Sequence, residues 1–228
     1  MSAPASYLLP LLQLSDSALP TGAFSHSFGL ESYLERQLVH DEATFATWLG
    51  QFLHQQLTYS DGLAVRLAAA AETRQDVRWL DRRMAAQALP RQVRVAGATM
   101  GARMLQITGL VAPCQALREY AEDVADGQCA GHPALAFGLA GRELAVPLPE
   151  LLSTYLFSTL TSLTQNAIRA IPIGQNAGQR VLRAAHTEVA DAVEAVLGLE
   201  PDDLGITAPA LEIAQMRHEH QRARMFMS

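Results

Sequence analysis

Apolar side chains along this chain recur three and four residues apart and almost nowhere in alternation, a spacing that suits helices and not strands. The stretch from Gln179 is the clearest case. Leu182, Ala185, Val189, Val193 and Val196 fall on one helical stripe, while Arg180, Arg183, Glu188 and Asp191 lie mostly outside it. Elsewhere alanine, leucine, glutamine and arginine dominate, side chains that lose little freedom on entering a helix. The expected fold is all-α: a single-domain bundle of about ten helices spanning residues 1–228. The candidate segments are 7–14, 28–37, 41–59, 61–73, 76–89, 92–108, 114–125, 133–144, 149–170, 175–197 and 206–222.

Punctuation supports those breaks. Pro90, Gly109 with Pro113, Asp126-Gly127, Pro147 with Pro149, and Gly198 followed by Pro201 stand where a helix should stop or start. No linker is long or low in complexity, and no internal repeat is visible. Gly97 and Gly101, four apart in VAGATMGAR, let another backbone approach closely. Either tight core packing or a homodimer seam would use them.

At 228 residues with 49% hydrophobic content, the chain can bury a sizeable core. No run approaches the roughly 18 apolar residues of a membrane span, and YLLPLLQL near the start lacks the basic flank and cleavage site of a signal peptide. A cytoplasmic location is expected, without membrane association. Net charge is -6 with dispersed arginines, which argues against nucleic acid as the main partner. Cys114 and Cys129 form no CxxC pair, so no structural zinc is expected. All 17 basic residues are arginine. Without lysine the chain can run neither Walker-type nucleotide hydrolysis nor pyridoxal chemistry by itself.

Two clusters invite a catalytic or metal reading. In PTGAFSHSFG (20–29), Ser25 has Ala23 and Ser27 where a nucleophile elbow needs glycines, and no strand precedes it. The residues fit a shaped loop better. Pro20 fixes one backbone angle, Gly22 frees the next bend, and Ser25 or Ser27 can cap the helix that carries Phe28, Leu30, Tyr33 and Leu34. Phe24 and His26 are then its points of contact. In His218-Glu219-His220, residues two apart point to nearly opposite helix faces, so the two imidazoles do not share a metal there. His186, beside the stripe of the segment from Gln179, is either a structural histidine or a ligand. The last dozen residues, RHEHQRARMFMS, mix Arg217, Arg222 and Arg224 with Met225, Phe226 and Met227. They either order on a partner or pack within the chain.

Three blocks together resemble one family: LLQLSDSALPTGAFSHSFGLESYLE, IPIGQNAGQRVL and APALEIAQMRHEHQRARMFMS. In that order and spacing, along essentially the whole chain, they resemble the UreF family of urease accessory proteins. The matching positions are Pro20, Gly22, Ser27, Gly29, Leu30 and Glu31; then Pro172, Gly174, Gln175, Gly178 and Gln179; then Met216, Arg217, His218, Glu219, Arg224 and Ser228. His220, Met225 and Phe24 depart from residues common in the family, so no metal role follows for His220.

The resemblance implies an all-α homodimer that is not an enzyme and holds no cofactor. It also implies partnership with UreD (also called UreH), with the GTPase UreG, and with apo-urease, coupling GTP hydrolysis to nickel insertion. The lack of lysine agrees, since the GTPase must be another subunit. Residues 215–228 are expected to form a partner-binding tail. The expected contacts are Phe24, His26, Arg217, His218, Glu219, Arg224 and Phe226, and Arg224 is expected to pack over Phe24, as an arginine does over an aromatic face. The alternatives are a small helical enzyme using Ser25, His26 or His186, and a nickel carrier.

Overall fold

A computed structural model describes residues 6–205 and 208–227. Among the described residues the fold is all-helical: α1 (Leu8–Leu14), α2 (Leu30–Glu35), α3 (Glu42–Gln51), α4 (Leu63–Ala70), α5 (Arg74–Gln87), α6 (Arg91–Val111), α7 (Gln115–Ala125), α8 (Pro133–Glu143), α9 (Leu148–Ala170), α10 (Gly174–Gly198) and α11 (Pro209–His218). The predicted start of the last helix at Ile206 and the motif residue Ser228 lie outside the described residues.

Helix α8 occupies the centre. Its residues Ala134 to Gly141 are all buried, the mark of a helix surrounded by protein on every side. It packs on α4 and α6. A Cβ on Gly138 would stand 2.6 Å from the Val65 carbonyl oxygen and 2.8 Å from Ala68 Cβ, so only glycine admits α4 at that distance. On the other flank, a Cβ on Gly101 would meet the Gly131 backbone at 2.6 Å. Gly101 therefore serves packing within the chain, whereas a Cβ on Gly97 would make only an ordinary contact with the His132 ring at 3.6 Å. Helices α9 and α10, joined by a short turn, close the bundle. Gly178 permits their contact, since its Cβ would stand 2.5 Å from Ile168 Cδ1. The buried residues join into one core that runs from Leu11 to Leu211.

A buried polar knot anchors the turn before α8. Tyr120 Oη donates to Asp81 Oδ1 at 2.6 Å, and the amides of Ala130 and Gly131 donate to the same carboxylate. Asp123, fully buried, accepts from the guanidinium groups of Arg74 and Arg78, which hold its carboxyl well below the usual range.

Two predicted boundaries fail for identifiable reasons. The expected break near Asp61 does not occur. The backbone instead passes from α3 to α4 through an eleven-residue π-helical run, Phe52–Gly62. Thr58 Oγ1 donates to the Leu53 carbonyl at 2.7 Å and Ser60 Oγ to that of Gln56 at 2.8 Å, so side chains take up carbonyls that wider turns serve poorly. Helix α5 begins ahead of the predicted Asp76 because Thr73 and Asp76 form a capping box.

Candidate interaction site at the N-terminal loop and C-terminal segment

The loop 20–29 takes its shape from its glycines. Gly22 (φ 86°) opens a 3-10 turn over Ala23–Ser25, and Gly29 (φ 95°) opens α2. Gly29 has a second duty, since a Cβ there would stand 2.9 Å from Gln215 Cγ on α11. Phe28 also adopts positive φ, at 50°. Neither Ser25 nor Ser27 takes the N-cap position of α2, which falls to Gly29, but Ser27 Oγ accepts from the Glu31 amide in its first turn at 3.4 Å.

The C-terminal segment folds back onto this loop. Ser32 Oγ donates to the Ala214 carbonyl at 2.7 Å, and Gln215 Nε2 to the Phe28 carbonyl at 3.1 Å. Glu31 then collects three groups. His218 Nε2 stands 2.8 Å from its Oε2, the Met225 amide 2.5 Å from Oε1, and the Phe226 amide 3.1 Å from Oε2. The other His218 nitrogen faces Gln92 Oε1 at 2.6 Å. Beyond Glu31, the Met227 amide donates to the Ser25 carbonyl at 2.8 Å. Gln221 reaches Ser32 and Glu35. One carboxylate on α2 thus ties the end of α11 and the last residues to the loop.

The predicted contact residues divide into two groups. Phe24, Arg217 and Arg224 are exposed, and Glu219 is half-buried within 3.6 Å of Arg91. His26, His218 and Phe226 are buried, so in this conformation they hold the segment together and reach no outside surface. Burial also pushes the His26 imidazole below its ordinary pKa, favouring the neutral ring. The expected Arg224–Phe24 stack is corrected: the arginine is Arg169 and the ring is Phe226, with the guanidinium 5.4 Å from the ring centroid. Arg169 also donates to the Phe24 carbonyl at 3.2 Å. Arg224 is exposed, while the next residue, Met225, is tied through its amide to Glu31.

Arg169, Asn166, whose amide donates to the His26 carbonyl at 2.8 Å, and Gln92 were not foreseen. Gln92 lies in the first turn of α6, and Asn166 and Arg169 lie near the end of α9, with nothing in the local sequence to mark them as contacts. In the second motif block, Gly174 (φ 70°) starts α10 and Gly178 seats it on α9, while Pro172, Gln175 and Gln179 are exposed.

His218 is fully buried and His220 exposed, as their spacing predicts. His186 is exposed and meets the Phe157 ring edge-on at 5.3 Å. Among the described residues no group of three or more His, Cys, Asp or Glu side chains is placed to hold a metal ion, and no helix is long and apolar enough to cross a membrane.

A family model described as UreF matches residues 39–186, more than half of the chain. The chain belongs to the UreF family. It is 57% identical over 228 residues to a urease accessory protein UreF of Arthrobacter sp. (strain FB24), covering 100% of both chains. It is 58% identical over 224 residues to that of Paenarthrobacter aurescens (strain TC1), covering 98% of this chain and 99% of the relative. A UreF of Lachnoclostridium phytofermentans is 43% identical over 226 residues, with 98% and 99% covered. These relatives are named as urease accessory proteins and not as urease itself. The family model stops short of the loop 20–29 and the C-terminal segment, whereas the full-length similarities include both.

Proposed function

We propose that this urease accessory protein acts in nickel insertion by joining UreD (UreH) and UreG into a complex on apo-urease, where it couples GTP hydrolysis by UreG to assembly of the metal centre. It does so in the cytoplasm as a homodimer, binding UreD through the loop 20–29 together with residues 215–228 and presenting UreG on another face. Nickel is the cargo of that complex.

The observation that carries this reading is the clasp at Glu31. It gathers loop and C-terminal segment into one surface, on which Phe24, Met225 and Met227 are 55–68% exposed beside Arg222 and Arg224. Exposed methionine, aromatic and arginine side chains in one patch have the composition of an interface core. Residues that are buried here, His218 and Phe226 among them, shape the patch from beneath.

A pull-down of the full chain against UreD, UreG and apo-urease tests the assignment. Wild type should retain UreD, and Arg224→Ala together with Phe24→Ala should reduce retention at equal amounts of folded protein. Undiminished capture of UreD by that double variant would refute the proposed surface.

A further inference from the structure

Under the N-terminal loop, a cavity of about 170 Å³ lies between residues 14–24, the π-helical run and helices α6, α8 and α9. A cavity of about 150 Å³ accepts a benzene ring, so this one admits a group of that size. Phe28, Phe52, Phe137, Met100 and Met104 supply apolar walls, and exposed Phe24 stands at its edge.

The polar part of the lining sets two carboxylates among hydroxyl, amide and imidazole groups. Asp61 accepts from Tyr155 Oη at 2.8 Å, and Ser60 Oγ, whose one proton is shared with the Gln56 carbonyl, stands 3.0 Å from its other oxygen. Among the described residues no arginine or histidine pairs with it. Gln56 Oε1 is buried with no hydrogen-bond partner. The hydroxyls of Ser158 and Thr159 are already turned to the Tyr155 carbonyl. His132 accepts the Ala134 amide on Nδ1, which leaves one ring N–H. Two carboxylates, Asp16 and Asp61, line the space, and no arginine does. Phe52, Gln56, Leu57 and Asp61 all belong to the π-helical run, a geometry rare at this length and one that gathers at functional sites.

We propose that this cavity receives the guanidinium of an arginine presented by the protein that binds the loop and C-terminal segment. The side-chain stem lies along the aromatic wall and the N–H fork meets Asp61 and Gln56. This rests on the interaction surface proposed above, to which Phe24 and Gln215 connect the cavity, since both line it. A guanidinium has five donors and no acceptor, so a negatively charged wall complements it. Aromatic faces add attraction for the cation. Asp16, Asp61 and His132 all line the space, but among the described residues no three such side chains are placed to hold a metal ion.

Two arms test this. In the first, benzamidine is titrated into the free protein and followed by NMR, with benzoate as control. Wild type should bind benzamidine at millimolar concentration and benzoate not at all. Asp61→Asn should weaken benzamidine at least tenfold, and Ser162→Leu, which fills the cavity without touching Asp61, should do the same. Circular dichroism confirms that both variants are folded. Equal binding of benzoate, or unchanged benzamidine binding by both variants, would overturn the proposal. In the second arm, UreD affinity is measured for the same proteins. A tenfold loss in Asp61→Asn, with benzamidine competing only against wild type, supports a partner arginine. Wild-type affinity in both variants refutes insertion while leaving the interaction surface intact. Failure of wild type itself to bind UreD removes that surface, and the first arm still decides the chemistry of the cavity.

Discussion

Replacing Glu31 with alanine is the sharpest perturbation of the clasp. The carboxylate is 13% exposed and serves the His218 ring and two backbone amides at 2.5–3.1 Å. Hydrogen bonds to a charged group contribute about 1.5–3 kcal/mol each, but three that share one side chain do not add in full. Fully buried His218 also loses its partner at Nε2, and a buried polar group left unsatisfied costs about 1–3 kcal/mol. A loss of about 3–4 kcal/mol is therefore expected, a large share of the roughly 5–15 kcal/mol that folded domains possess. Urea denaturation should show a lower midpoint with little change in slope. Hydrogen exchange should show the amides of Met225, Phe226 and Met227 losing protection before the core helices do. Glu31→Gln keeps the shape and one acceptor oxygen, so its loss should be smaller, about 1–2 kcal/mol. If Glu31→Ala retained wild-type stability and protection at 225–227, the clasp would not be what holds the segment.

The packing and the titratable groups yield further expectations. Gly138→Ala places a methyl 2.6 Å from the Val65 oxygen and should cost about 1–2 kcal/mol despite the better helix former, whereas Gly109→Ala, with open space around it, should gain up to about 1 kcal/mol in the same denaturation assay. The folded-state pKa of Asp123 is depressed, so the stability it contributes is complete above the unfolded value near 4 and is lost as pH falls below it. Asp123→Asn should flatten the acid limb of a stability–pH profile. The His26 pKa is likewise lowered, here by burial, so its imidazole should titrate below 6.5 by NMR and the loop should lose stability as pH falls below that value.

Much of this architecture is legible in the sequence because it is local. The helical period marks nearly every element, and Gly22, Gly29 and Ser27 shape the first loop through their own backbone angles and a bond four residues away. What stayed hidden is set by distant partners. Asp61 and Ser60 resemble a helix break until Tyr155 and the Gln56 carbonyl bind them. Phe226 sits in an exposed-looking tail, yet it is buried because Glu31, about 195 positions earlier, binds its amide and Arg169 covers its ring. His218 belongs to a quoted motif, but only the approach of α11 to α2 and α6 turns it from a surface group into a buried tie.

The central claim, that this chain couples GTP hydrolysis to nickel insertion, is tested most directly by a defined activation mixture. Apo-urease, UreD, UreG, GTP and nickel are combined with or without the purified protein, and nickel bound to urease is counted after gel filtration. GTP-dependent incorporation should require this protein and should fall when Phe24 and Arg224 are both replaced by alanine. Equal incorporation in its absence would refute the coupling.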